Sequence, residues 1–278
     1  MHFVNGQAAA GISVHDRGLT YGQTLFETVA IQAGQPLLMK QHFQRLSQGC
    51  QRLSIPLSLA VLKREIKSAC ATAFKKTSAD RAVMRLTVSM GEGGRGYQNP
   101  DQPKPLRILS FSNYPDIPKS NWESGIVLGK ARIRLAHQPD LAGLKHGNRL
   151  EQIIARSQWD EAWQEAILLD QNDYVIEATQ ANIFTLKNNI LKTPDLKKCG
   201  VAGVMRDYIL RNAARLGVIP QTDDLTVSDL ELADAVFVCN SLIGAWPVKQ
   251  FYRREYDNFE LYKKLQKLLR DDGVISLI

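Results

Sequence analysis

Apolar positions along the chain recur at two periods, and the changes of period mark out the elements. The chain opens as a hairpin: HFV, an Asn5-Gly6 turn, then QAAA. Asn-Gly is the dipeptide best suited to a two-residue turn between strands. TLFETVAI (24–31) reads as a strand, with an Ala33-Gly34 turn leading into PLLM (36–39). The period then lengthens. From about Lys40 to Leu53, the residues Phe43, Leu46, Cys50 and Leu53 share one helical face, with Arg45 and Arg52 on the opposite side. A second helical stretch runs from about Leu59 to Lys76. RAVMRLTVSM (81–90) and PLRILSFSNY (105–114) predict strands flanking a glycine-rich loop, GEGGRGYQNP. Pro115 and Pro118 in YPDIPKS interrupt any regular element. A linker is therefore expected at 115–119, between a small N-terminal α+β domain (1–114) and a larger C-terminal domain (120–278).

The second half begins with the strand-like GIVLGKARI (125–133). A helix is expected from about Asn148 to Trp163. AILLD, a QND turn and YVIEA make a hairpin over 166–178; NIFTL (182–186) and ILKT (190–193) make another about Asn188-Asn189. A helix from about Met205 to Leu216, a buried strand DAVFVCN (234–240) and a helical tail from about Phe259 to Arg270 follow. Strands dominate, hairpins recur and helices come in separate blocks, which predicts an α+β or mixed α/β fold.

Composition narrows the function classes. At 278 residues with 44% hydrophobic and 23% charged content, the chain has enough apolar material for a real core. No window approaches the roughly 18 consecutive apolar residues of a membrane span. The start MHFVNGQAAAG lacks a basic region followed by an apolar run, so a cytoplasmic protein is expected. Cys50, Cys70, Cys199 and Cys239 are far apart in no CxxC or Cys/His pattern, and read as buried free thiols. The five histidines form no HExxH array, so no metal is expected. The net charge of +7 is dispersed, with short clusters such as Lys75-Lys76, Lys197-Lys198 and Arg253-Arg254. No basic stripe carries interleaved aromatics, which argues against nucleic acid and leaves an anionic small molecule as partner.

Several positions then carry candidate chemistry, each beside an ordinary reading. Lys145 in LAGLKHGNRLEQ is either a surface lysine ahead of a helix or a partly buried nucleophilic amine. Glu177 ends the apolar run YVI. It is either an exposed strand end or a buried carboxylate in need of a partner, with Asn182 five residues on. In CGVAGVMRDY (199–208) two glycines lead into a helix start whose N–H groups, at Val204 and Met205, could grip an anion or merely complete a turn. Ser241 in CNSLIG follows a buried strand, and Arg45 is either solvated or a phosphate clamp. A lysine for an imine, a carboxylate for a pyridinium nitrogen, and an arginine plus helix-start amides for a phosphate are together what pyridoxal 5'-phosphate requires.

From Glu177 to Arg206 the chain reads EATQANIF, six residues, LKT, seven residues, then VAGVMR. This resembles the signature of the class IV aminotransferase family, the fold-type IV pyridoxal-phosphate enzymes. The likeness extends to the opening FVNG and to DRGLTYGQTLFET. It implies a two-domain fold of the D-amino-acid aminotransferase type, with a pyridoxal-phosphate-binding C-terminal domain, and a homodimer. It further implies Lys145 as the Schiff-base lysine, Glu177 against the pyridine nitrogen, and Asn182 completing the polar environment. Val204, Met205, Arg45 (in a His42-to-Leu46 HxxRL pattern) and Ser241 would hold the phosphate. Within the family, LAGLKHGNRLEQ and the loop Gly93-Gly94-Arg95-Gly96-Tyr97 are similar to the lyase members, although Gly147 stands where a leucine is usual. That likeness implies cleavage of 4-amino-4-deoxychorismate to 4-aminobenzoate and pyruvate, a step towards folate. Arg95, Tyr97, Arg107 and Arg149 would then meet the dicarboxylate substrate. A branched-chain or D-amino-acid aminotransferase is the alternative, and a cofactor-free binding protein of the same fold is a third reading.

Overall fold

The computed structural model describes residues 1–9, 11–74 and 80–275. Ala10 of the first hairpin, the last two residues of the helix expected to reach Lys76, and the Lys75-Lys76 cluster lie outside them. Contacts divide the described residues into two units, the first comprising Met1–Pro115 and Leu144–Asn148, the second Asp116–Gly143 and residues 149–275. Residues 144–148, which sequence alone assigns to the C-terminal domain, thus belong with the first unit.

In the first unit, β1 (His2–Val4), β2 (Gln7–Ala8), α1 (Arg17–Tyr21), β3 (Thr24–Gln32), β4 (Gln35–Pro36), α2 (Met39–Arg52), α3 (Leu59–Phe74), β5 (Arg81–Ser89) and β6 (Leu106–Asn113) follow in order. The strands form one antiparallel sheet, β2-β1-β6-β5-β3-β4. β3 pairs with β5 along its full length, from Thr24 opposite Ser89 to Gln32 opposite Arg81. PLLM does not continue as a strand, because Leu38 takes a left-handed φ of 53° that turns the chain into α2. The buried face of α2 is His42, Leu46, Gly49 and Cys50, rather than the expected stripe through Phe43. Gly49 explains the rotation: a β-carbon there would lie 2.8 Å from Leu25 Cδ2, so its absence lets α2 settle onto β3.

The second unit contains α4 (Ser120–Glu123), β7 (Ile126–Leu135), α5 (Leu150–Ser157), β8 (Glu165–Asp170), β9 (Val175–Ala178), β10 (Asn182–Lys187), β11 (Ile190–Pro194), α6 (Val204–Arg211), α7 (Ala213–Leu216), β12 (Ile219–Asp223), α8 (Val227–Glu231), β13 (Ala235–Asn240), β14 (Gly244–Phe251), β15 (Arg254–Glu255) and α9 (Glu260–Asp271). Its sheet runs β12-β11-β10-β13-β14-β7-β8-β9, with β15 on β14. The β11–β12, β14–β7 and β7–β8 pairs are parallel and the rest antiparallel. Stacked Phe184 and Phe237, with centroids 5.0 Å apart, lie in the buried interior with Ile183, Val236 and Val238.

Two expected helices are shorter or broken. The one after Asn148 covers only Leu150–Ser157. Asp160 then turns the chain, and the Trp163 ring occupies the space Gly129 leaves open, where a β-carbon would lie 2.0 Å away. The helix from Met205 is interrupted at Asn212, whose side chain donates to the Tyr208 carbonyl at 2.9 Å, competing with the helical ladder.

Candidate active site

Glu177 and Asn182 lie in the second unit on β9 and at the start of β10, both buried. Their spacing has a plain physical meaning: both grip the peptide of one residue, Val201. The Val201 N–H donates to Glu177 Oε2 at 2.8 Å, and Asn182 Nδ2 donates to the Val201 carbonyl at 2.9 Å. Gln152 Nε2 donates to the other carboxylate oxygen at 3.3 Å. The charge of Arg149 is felt here too. Burial depresses its pKa, and the carboxylates of Glu177 and Glu151 act in the opposite sense. The exposed-strand-end reading of Glu177 is thereby excluded.

The glycines of the 199–203 turn are required by close approach. Gly200 has φ of +85°, and a β-carbon at Gly203 would lie 1.9 Å from Asn182 Oδ1. Gly203 opens α6, no side chain caps its first turn, and Val204 and Met205 are buried. The N–H groups at such a helix start favour an anion. Arg206, the basic end of the motif, anchors the helix: Nε donates to Thr193 Oγ1 at 3.2 Å and Nη2 to the Pro194 carbonyl at 2.8 Å. Gly143, just before Leu144, donates to the Gly200 carbonyl at 2.9 Å and accepts from Ala202 N at 3.1 Å.

Two further groups hold this arrangement: Asn240, which the sequence marks beside Ser241 in CNSLIG, and Glu165, which it does not. Asn240 accepts from the Leu242 and Ile243 N–H groups, both at 2.9 Å, and shapes the turn carrying half-buried Ser241. Asn240 Nδ2 also donates to the Gln180 carbonyl at 3.1 Å. Buried Glu165 accepts from Thr179 N at 3.0 Å and Gln180 N at 3.3 Å, within the turn joining Glu177 to Asn182. Burial pushes the Glu165 carboxyl up to about 7, despite these hydrogen bonds.

In the first unit, Lys145 is half-buried rather than solvated. Its carbonyl accepts from Phe26 N at 2.9 Å, Gly147 N donates to the Thr24 carbonyl at 2.9 Å, and Leu25 bridges His146. The segment thus lies along the start of β3, and Lys145 Nζ sits 4.5 Å over the Phe26 ring. One residue on, Glu27 is buried in the middle of β3. His42 Nδ1 donates to its Oε2 at 2.6 Å, while Arg45 donates from Nε to Oε1 at 2.9 Å and from Nη2 to Oε2. Burial alone would raise the Glu27 carboxyl, but the Arg45 charge and these hydrogen bonds outweigh it and hold the pKa at about 2. Burial depresses the His42 pKa, and the positive charges of Arg45 and Lys145 act in the same sense. Arg45 is therefore not solvated: its side chain is 11% exposed and paired with Glu27. Glu27 is legible in hindsight as the charged residue inside an apolar strand.

The DRGLTYG and GGRGY motifs turn out to be one assembly. Buried Arg17 donates from Nη1 to the Gly96 carbonyl at 3.0 Å and from Nη2 to the Tyr97 carbonyl at 3.3 Å. Tyr21 accepts from Gly96 N at 3.1 Å and packs edge-on against Tyr97. Arg95 and Tyr97 project from this held loop, both exposed. Arg107 stands apart from that picture. It forms a two-bond pair with Glu65, both bonds 2.8 Å, and lines a depression of about 980 Å³ with His15, Glu92 and Lys104. Its charge is already matched, which counts against Arg107 as a substrate contact.

Among the described residues, His137, Asp170 and Cys199, distant in sequence, place their ligand atoms within 4.8 Å of one another in the second unit.

The model of the class IV amino-transferase family matches residues 24–251, and this chain belongs to that family. The crystal structure of 4-amino-4-deoxychorismate lyase from Pseudomonas aeruginosa superposes with a TM-score of 0.93 at 45% identity, covering 98% of this chain and 99% of that one. The fold is that of the fold-type IV pyridoxal-phosphate enzymes, as the sequence predicts. Aminodeoxychorismate lyase from Vibrio harveyi is 34% identical over 250 residues, 89% of this chain and 90% of its own. Branched-chain-amino-acid aminotransferase from Escherichia coli K12 is 26% identical over 248 residues, 86% and 80% of the two chains.

Proposed function

We propose that this protein is a pyridoxal-phosphate-dependent lyase that cleaves 4-amino-4-deoxychorismate to 4-aminobenzoate and pyruvate, acting as a homodimer in the cytoplasm. The observation that carries the reading is the likeness to the Pseudomonas lyase along essentially the whole of both chains. The donor set fits the cofactor: a half-buried lysine, a buried carboxylate and an uncapped helix start are the groups that bind its aldehyde, ring nitrogen and phosphate. When bound, the cofactor supplies an electron sink for the carbanion formed at the substrate carbon bearing the amino group.

The chain's own residues do the rest. Lys145 would hold the cofactor through Nζ, and as a free amine it would accept the proton from C4 of the substrate. The C3–O bond to the enolpyruvyl group breaks, the electrons left by the C4 proton close the aromatic ring, and the enolpyruvate takes up a proton and becomes pyruvate. Glu177 would face the ring nitrogen and favour its protonated form. Asn182 positions the Val201 turn, and the amides of Val204 and Met205, with Ser241 and Arg45, would hold the phosphate. Arg45 serves while remaining paired with Glu27. Arg95, Tyr97 and Arg149 are the residues proposed to meet the substrate.

The test incubates purified protein with 4-amino-4-deoxychorismate and follows both products, beside visible absorbance before and after borohydride. Pyruvate and 4-aminobenzoate should form in equal amounts. Lys145→Ala should lower the rate by at least about a thousandfold and abolish the borohydride-sensitive band. Amino transfer to 2-oxoglutarate as the sole activity would overturn the lyase reading in favour of the aminotransferase. An unaltered spectrum in Lys145→Ala would favour the binding-protein reading.

A further inference from the structure

We propose that His137, Asp170 and Cys199 form a binding site for one divalent ion of the zinc class, separate from the residues assigned to the cofactor. His137 follows β7, Asp170 ends β8, and Cys199 lies in the loop before α6. His137 Nε2 and Asp170 Oδ2 are 2.7 Å apart, and the thiol sulfur is within 4.8 Å of both. One nitrogen, one sulfur and one oxygen donor make a set that zinc accepts in tetrahedral geometry, with water as the fourth ligand. To reach bonds of about 2.0–2.3 Å in tetrahedral geometry, the sulfur must approach while Nε2 and Oδ2, now 2.7 Å apart, open to admit the ion between them.

Three observations support a built site rather than a chance cluster. The backbone already joins the three segments: Leu135 pairs with Asp170 across β7 and β8, and Gln138 N donates to the Lys198 carbonyl at 2.8 Å. Asp170 is oriented from behind, its Oδ1 accepting from Asn172 N and Tyr174 N, both at 2.9 Å, which leaves Oδ2 towards the site. Burial, the largest effect, pushes the Cys199 thiol up to about 12 and opposes loss of its proton, whereas the charges of Asp170, Glu177 and Glu151, which also raise it, would attract a cation, opposed by Lys198. His137, 23% exposed, gives an entry path from solvent.

Binding replaces the Cys199 proton with the metal and moves the His137 proton to Nδ1, so that Nε2 can coordinate. One proton leaves to solvent, and affinity should rise about tenfold per pH unit while the free thiol stays protonated. Cys199 stands two residues before Val201, so occupancy would also stiffen the turn held by Glu177.

The experiment titrates Co²⁺ into the metal-stripped holoenzyme, followed by Zn²⁺ in competition. One Co²⁺ per chain is expected, with visible bands of tetrahedral cobalt and a near-ultraviolet thiolate-to-cobalt band. Cys199→Ser should remove the thiolate band. His137→Gln, at a partly exposed position with little risk to folding, should weaken binding at least ten- to hundredfold. Cobalt bound without a thiolate band would overturn the site. So would a thiolate band retained in Cys199→Ser, unchanged affinity in His137→Gln, or no stoichiometric binding.

Discussion

At the scale of single residues, Gly147 shows how a departure from a pattern acquires a cause. A β-carbon at Gly147 would lie 2.3 Å from Thr24 Cγ2, while Thr24 Oγ1 donates to the Val88 carbonyl at 2.9 Å. The methyl of Thr24 fills the space a side chain at 147 would need. Gly147→Ala should therefore cost about 1–3 kcal/mol in urea denaturation, as overpacking does. Thr24→Ser removes the methyl and keeps the hydroxyl, so most of that cost should vanish in the double variant. Strict additivity of the two changes would refute the packing account. The glycine was visible in the sequence, but its partner 123 positions away was not. The same asymmetry runs through the site. Lys145, Glu177 and Asn182 each admit an ordinary local reading, and it is the resemblance over EATQANIF to VAGVMR that marks them. The ring of partners around Glu27 is formed by helix packing, which no local pattern encodes. Local pattern leaves Arg45 open between solvent and a phosphate, because its helix looks amphipathic about Phe43, whereas Gly49 sets the buried face.

At the scale of elements, strands with strong alternation or continuous apolar runs were legible almost residue by residue, β3, β5 and β13 among them. β12 was not, since all five of its residues are exposed and offer no pattern. β14 carries Pro247, which lowers any expectation of a strand, yet Pro247 pairs opposite Phe237 inside the sheet. The short helix α1 was likewise invisible, and its value lies in what Arg17 holds. Removing that side chain's donors with Arg17→Met should free the 94–97 loop. Hydrogen bonds from a charged group contribute about 1.5–3 kcal/mol each, so amide exchange there should accelerate at least tenfold. Exchange rates in the loop equal to those of the parent protein would show that Tyr21 and the glycines hold it unaided.

At the scale of the whole molecule, two buried carboxyls tilt stability in opposite directions with pH. The pKa of Glu27 lies at about 2 in the folded state against 4.5 when unfolded, so its stabilisation is full above about 4.5 and is lost as pH falls towards 2. Glu165 is raised from 4.5 to about 7, so the folded state keeps its proton longer and stability falls as pH rises across that window. The four tryptophans, Trp122, Trp159, Trp163 and Trp246, all belong to the second unit, as Glu165 does. Stability monitored by tryptophan fluorescence should decline between pH 5 and 7, by up to about 1.4 kcal/mol per unit. Glu165→Gln should flatten the slope whatever it does to absolute stability, and an unchanged slope would assign the decline to another group. The division of the chain also has a temporal side. Residues 1–115 leave the ribosome before Leu144–Asn148 is made, yet that segment pairs with the start of β3. At about 5–20 residues per second, the nascent first unit waits on the order of seconds with the Leu25–Phe26 edge uncovered. Translation speed across residues 116–148 thus sets how long that edge is open to chaperones or to a neighbouring nascent chain.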